Sequence, residues 1–126
     1  MDYEDFVEST DISNHNLQFY LDGMNEENGE ISGIWKRVRR GDYGKEAKNA
    51  IDHKTGGMLW CCKNINGIET DLLKEIGDRH WYETRFLQEL GRDWQLVESM
   101  NMEKLKKRRD TGTIIGKGDT REEHKA

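Results

Sequence analysis

The sequence predicts an α+β fold, a small mixed sheet with helices packed on one face. Three observations lead there. Apolar and polar residues alternate over 17–21 and again within 30–40, the period of a half-buried strand. Residues 45–54 and 79–90 instead repeat their apolar side chains every three to four positions, as an amphipathic helix does. The turn dipeptides Asp22-Gly23, Asn28-Gly29 and Asn66-Gly67 punctuate the chain between such stretches.

Taken in order, residues 1–14 are acidic and weakly patterned, which predicts a flexible lead-in; Phe6 and Val7 would make one amphipathic turn at most. In the first strand Leu17, Phe19 and Leu21 share a face. In the second, 30–40, Ile34 and Val38 share a face with Lys36, while Trp35, Arg37 and Arg39 share the other. Gly41-Asp42-Tyr43-Gly44 breaks that strand. A helix over 45–54 follows, with Ala47, Ala50 and Ile51 on one stripe and Gly56-Gly57 as its stop. The dense apolar run 58–65 reads as a third strand. Thr70 or Asp71 can cap a helix carrying Leu72, Leu73 and Ile76, which Gly77-Asp78 interrupts. The helix over 79–90 aligns Tyr82, Phe86 and Leu90, with Trp81 adjacent. Residues 93–100 fit a strand or a helix. Residues 101–109 form a basic helix, and 110–126 read as a flexible tail. The expected domain therefore spans 15–109.

With 126 residues, of which 33% are hydrophobic and 36% charged, the chain supports one domain with a modest core. The net charge of −5 is unevenly laid out. Residues 1–33 carry nine acidic groups and no Lys or Arg; residues 34–63 carry eight basic and three acidic ones. Residues 64–100 are net −4 and residues 101–126 net +3. A local basic surface can therefore coexist with an acidic whole.

No apolar run is long enough for a membrane helix, and Met1-Asp2-Tyr3-Glu4-Asp5 is acidic where a signal peptide is basic. Cys61 and Cys62 are adjacent, so no disulfide framework forms, which predicts a reducing compartment. A zinc site would need further ligands at defined spacing, and buried thiols explain the pair more simply. His80 and Glu83, with Glu75 and Asp78 upstream, have the spacing of half a metal site, a pattern common by chance. Asp42, Asp52 and Lys54 match a nuclease pattern only loosely, since Asp52 falls in a helical stretch. Residues 112–118 lack the spacing and the Ser or Thr of a phosphate loop. The expectation is a binding protein and not an enzyme, with no catalytic residue, no metal and no cofactor.

The best functional lead is the basic segment Trp35-Lys36-Arg37-Val38-Arg39-Arg40. On a strand, Trp35, Arg37 and Arg39 form one row in which a flat aromatic sits beside two guanidiniums. Arginine can grip phosphate oxygens bidentately and an aromatic can stack on a base. The expected RNA-binding set is Trp35, Lys36, Arg37, Arg39 and Arg40, with Trp60 and Lys63 at the margin. The competing reading is a solvated face that pairs with the acidic N-terminal block. A second basic cluster, Lys104 with Lys106 to Arg109, could follow phosphates, act as a nuclear-import signal, or complement a helix dipole.

Trp35-Lys36-Arg37 continuing into Val38-Arg39-Arg40, then Asp42, Glu46-Ala47 and Thr55-Gly56-Gly57, resembles the RNA-silencing suppressors of tombusviruses. Gly67-Ile68-Glu69-Thr70 and Phe86-Leu87-Gln88-Glu89-Leu90 extend the likeness, and the length is similar to that of the related aureusvirus proteins. The resemblance spans about residues 34–90, with gaps. It implies a homodimer whose sheet forms a platform for double-stranded RNA, contacting phosphates and 2′-hydroxyls without reading sequence. It also implies sequestration of small interfering RNA duplexes in the host cytoplasm, with the nucleus left open by the second basic cluster. The chain departs from the family in having no Trp before position 35 and a strongly acidic first third, which puts duplex-length selection in doubt. Trp81, Tyr82, Phe86 and Leu90 offer a face for dimerisation or for packing within the monomer. The rival function is a protein-interaction module that engages a host factor.

Overall fold

A computed structural model describes residues 1–12 and 15–115. Among them are six α-helices and no strand: α1 (Tyr3–Thr10), α2 (Leu17–Arg40), α3 (Lys45–His53), α4 (Gly57–Asn64), α5 (Ile68–Glu89) and α6 (Trp94–Thr111). The frame is an antiparallel hairpin of the two long helices, α2 and α5. Residue numbers rise along one helix as they fall along the other. The Arg85 guanidinium lies 5.0 Å from the centre of the Tyr20 ring. Gly23 faces Tyr82, and Arg79 donates to Asn28 at 3.2 Å. Ile34 and Val38 meet Ile68 and Leu72 at the far end.

The sequence folds this way because α2 carries a helical stripe. Tyr20, Gly23, Ile34 and Val38 are buried, and Glu27 and Ile31 between them are half-buried. Asn16 caps the start, its side chain accepting from the Phe19 N–H at 3.0 Å. Gly41 ends the helix at φ 94°, a left-handed geometry that glycine adopts without a Cβ penalty. The short helices α3 and α4 then fold over the α2 C-terminal half. There Ile34, Val38, Ala47, Ala50, Cys61 and Ile68 make the main core, flanked by Trp35, Tyr43, Ile51, Trp60 and Leu72.

At the opposite end α1 docks on α5. Its Val7 is fully buried, and the Gln88 amide donates to the Glu4 carbonyl at 2.8 Å. Trp81 donates to Thr10 Oγ1 at 2.8 Å. Arg85, only 6% exposed, gathers this end together. It bonds Asp11 at 2.8 Å and Glu89 at 2.7 Å, and reaches the Tyr20 hydroxyl at 3.1 Å. Burial opposes its charge, but the bonds to Asp11, Tyr20 and Glu89 outweigh that cost and hold its pKa above the ordinary arginine value.

This architecture overturns the expected α+β fold. The stretches 17–21 and 30–40, read as two strands, belong to the single helix α2, and 58–65 is mostly α4. Alternation over five residues is too short to fix a period. The three glycines inside α2 disguised its continuity, because glycine weakens a helix by about 1 kcal/mol and so reads as a turn. Gly77-Asp78 likewise does not interrupt α5, and 93–100 joins 101–109 in α6. The acidic segment 1–14, expected to be a flexible lead-in, contains the docked helix α1, capped by Asp2. Of the expected tail, Asp110 and Thr111 close α6; residues 116–126 lie outside the described residues. Trp81, Tyr82 and Phe86, offered as a dimer face, are half-buried within the monomer, although Leu90 is exposed. With no sheet among the described residues, the platform implied by the viral resemblance is not formed.

Two glycines of α2 should respond oppositely to alanine. A Cβ on Gly23 would lie 2.3 Å from the Tyr82 ring, so Gly23→Ala should destabilise by about 1–3 kcal/mol. Gly29 faces open space, so Gly29→Ala should stabilise by up to about 1 kcal/mol. Denaturant melts followed by circular dichroism distinguish the two. Arg85→Met removes the cation paired with the buried Asp11 carboxylate, which keeps only neutral support such as the Tyr20 hydroxyl, and should cost about 3–5 kcal/mol in the same measurement.

Candidate nucleic-acid interface

The basic segment occupies the last turns of α2, and helical geometry regroups it. Successive residues turn by about 100°, so residues two apart point to nearly opposite sides. The row of Trp35, Arg37 and Arg39 expected on a strand is therefore not formed. Because Ile34 and Val38 face the core, Lys36, Arg39 and Arg40 fall together within roughly 100° of the outward face. All three are exposed. Trp35 and Arg37 flank the stripe and are half-buried, Trp35 against the core and Arg37 beside the Tyr43 phenol.

Local structure explains why the cations gather here. The C-terminus of a helix carries negative partial charge, which complements Arg37, Arg39 and Arg40 in the final turn. Arg40 forms an ion pair with Asp42 just past the helix end, and that bond holds the Asp42 carboxyl below the ordinary carboxylate range. The Tyr43 hydroxyl donates to Asp71 at 2.6 Å, tying the 41–44 turn to α5; burial and then this bond raise the Tyr43 pKa. Lys45 opens α3 immediately afterwards, a cation that the sequence reading left out of the site. Lys36, Arg39 and Lys45 make no ion pair among the described residues.

The marginal site residues do not join this stripe. Trp60 lies on α4, half-buried against the core, with the Lys54 ammonium 5.3 Å from its ring centre. Lys63 is engaged by Glu69 at 2.7 Å, which raises its pKa. Cys61 and Cys62 are free thiols on α4, and burial raises both pKa values. Cys61 is fully buried, its thiol 3.6 Å from the Ala47 carbonyl.

The acidic side of the hairpin holds a cluster of which the sequence singled out Glu75 and Asp78 but not Glu27. Glu27 of α2 meets Glu75 and Asp78 of α5, with carboxylate oxygens all within 4.8 Å of one another. Among the described residues this is the group whose spacing would admit a hard cation. Burial pushes Glu27 up to about 7, helped by a hydrogen bond to Glu75 and by the charges of Glu75, Asp78 and Glu30. His80 and Glu83, considered as a metal pair, are used otherwise: His80 stacks on Tyr3 and Trp94, and Glu83 pairs with Arg79 at 3.3 Å.

No described helix is long and apolar enough to cross a membrane. Comparison of the chain with protein-family models, curated proteins and solved structures finds no match.

The carboxylate cluster makes stability pH-dependent. The pKa of Glu27 in the folded protein, about 7, lies above its ordinary 4.5. The stabilisation from holding Glu27 neutral is complete below about pH 4.5 and is lost as pH rises through about 7. The melting temperature should therefore fall over that window, and Glu27→Gln should flatten the fall. An unchanged slope in thermal melts of the variant would contradict the assignment.

Proposed function

We propose that this protein binds nucleic acid through phosphate contacts, with double-stranded RNA as its ligand, and that it acts by binding and not by catalysis. The observation that carries this reading is the outward stripe of Lys36, Arg39 and Arg40 at the α2 C-terminus, next to Lys45. Three of these four cations have no protein counter-ion among the described residues. Arg40 could exchange Asp42 for a phosphate at small cost, since an exposed ion pair is worth about 0–1 kcal/mol. Such a stripe carries no base-reading geometry, so affinity would be independent of sequence. Duplex RNA suits it because the A-form major groove is too narrow to be read, which leaves phosphates and 2′-hydroxyls as targets. Sequestration of small interfering RNA, as in the viral suppressors that the central segment resembles, is the role this binding would serve. It rests on the charge stripe alone, because the sheet platform of that family has no counterpart among the described residues.

The rival reading, a protein-interaction module, is favoured by the apolar side chains left exposed on α1 and α6, among them Phe6, Met100 and Met102. Gel shifts over a salt series decide between them. Lys36→Ala, Arg39→Ala and Arg40→Ala combined should keep the parent's helical circular dichroism spectrum. The combined variant should weaken binding to all RNA duplexes alike and reduce the log–log salt slope by about three. Parent-like affinity in the folded variant would overturn the assignment, as would equal affinity for duplex RNA, duplex DNA and single strands.

A further inference from the structure

Where α1, α5 and the start of α6 converge, Asp2, Tyr3, Glu4, His80, Trp94 and Glu98 line an open cleft of about 690 Å³. One wall is aromatic. His80 stacks on Tyr3 at 5.2 Å and on Trp94 at 4.6 Å between ring centres, and Tyr3 remains 45% exposed. The wall is held in place. The Trp94 indole donates to Thr84 Oγ1 at 2.8 Å, and the Gln88 amide holds the start of α1 by donating to the Glu4 carbonyl at 2.8 Å. A wall already in position costs a ligand little ordering.

The cleft is also acidic. Asp2, Glu4 and Glu98 border it, and no lysine or arginine is among the described residues that do. Helix ends account for part of this acidity. Asp2 caps α1, accepting from the Asp5 N–H at 2.8 Å, and Glu4 lies in the first turn, where negative charge complements the dipole. A helix N-terminus carries about +0.5 charge, so the ends of α1 and α6 together offset about one carboxylate of the three. Glu98 has no such role, since it lies beyond the first turn of α6, where the field of the helix end has faded. It makes no ion pair among the described residues. Asp78 adds to the negative field: burial, and then the Asp78 charge, raise the Tyr3 pKa.

An exposed aromatic face beside an unpaired carboxylate selects a cation. A guanidinium suits it better than an ammonium, because it lies flat on a ring and bonds a carboxylate through two N–H groups at once. An open cleft leaves a small cation largely solvated, whereas small-ligand pockets bury about 70–90% of their ligand. A peptide segment gains contacts on either side of its arginine, which favours a protein as the source. Nucleic-acid phosphates are repelled here. The basic stripe lies elsewhere: His80 is about 18 Å along α5 from Ile68, which packs with Val38 at the basic end of the hairpin.

We infer that the cleft between α1, α5 and α6 binds an arginine-bearing peptide segment of a partner protein, its guanidinium against the Tyr3 ring and paired with Glu98. The site is separate from the phosphate-binding stripe, and the two can be filled together.

Isothermal titration calorimetry of the full chain tests this with a capped Gly-Arg-Gly-Arg-Gly peptide, its lysine counterpart and its citrulline counterpart, which keeps the shape of arginine without the charge. The arginine peptide should bind, the lysine peptide more weakly, and the citrulline peptide not at all. Glu98→Gln and Tyr3→Leu should each weaken binding by about threefold, and Glu98→Lys by about tenfold or more, with the helical circular dichroism spectrum intact. Glu46→Lys makes the same change of net charge on exposed α3, away from the cleft, and should bind within about twofold of the parent. No binding of the arginine peptide up to about 1 mM overturns the proposal. So does equal binding of the citrulline peptide, or a folded E98K that binds like the parent. An E46K that loses as much as E98K makes the attraction diffuse and overturns it too. Arginine amide binding as tightly as the peptide makes the occupant a small cation, and a parent that dimerises and excludes the peptide makes it a second copy; either result overturns the proposal. The proposed function is tested separately, because the cleft variants leave Lys36, Arg39, Arg40 and Lys45 in place.

Discussion

Arg85 lies at the point where three helices meet, and the arrangement of the rest follows from satisfying it. A buried guanidinium without partners would be strongly destabilising, so α1 must deliver Asp11 and α2 must deliver Tyr20. Those two demands fix where α1 docks and how α2 is placed along α5. Three residues further along α2 from Tyr20 comes Gly23, whose missing side chain admits the Tyr82 ring. Once this end is set, helical rise carries Ile34 and Val38 to Ile68 without further adjustment.

The same register sorts charge. The N-terminal half of α2 is acidic and lies beside the acidic middle of α5, where Glu27, Glu75 and Asp78 crowd together. The C-terminal half of α2 is basic and packs against α3, which opens with Lys45. Alternating charge blocks along the chain thus become opposite ends of one hairpin. That separation lets a protein of net charge −5 present a basic stripe in which Lys36 and Arg39 have no ion pair among the described residues.

Much of the core was legible in the sequence. Ile34 and Val38 share a face in the sequence, Ala47 and Ala50 share a helical stripe, and residues 45–54 read as a helix; the structure buries all four side chains, but turns Lys36 away from Ile34 and Val38. The period of α2 was not legible. Its inward positions include Gly23 and Glu27, a turn former and a carboxylate, so the apolar signal lapses across the helix middle while short alternation at 17–21 imitates a strand. The basic residues of the site were legible as charges but not as a surface. A strand groups Trp35 with Arg37 and Arg39, whereas the helix groups Lys36 with Arg39 and Arg40. Lys45 follows them in the chain, at the start of α3 beyond the turn at 41–44. The Asp11–Arg85 bond spans 74 positions and leaves no local trace in the sequence.

The central claim is that the helical end of α2, and not an aromatic–arginine row, meets the phosphates. Amide chemical-shift mapping during titration with a short RNA duplex tests it most directly. The account predicts perturbations concentrated at Lys36, Arg39, Arg40 and Lys45, with residues 17–27 of the same helix unmoved. Perturbations confined to α6, spread evenly over the chain, or absent at saturating duplex would contradict it.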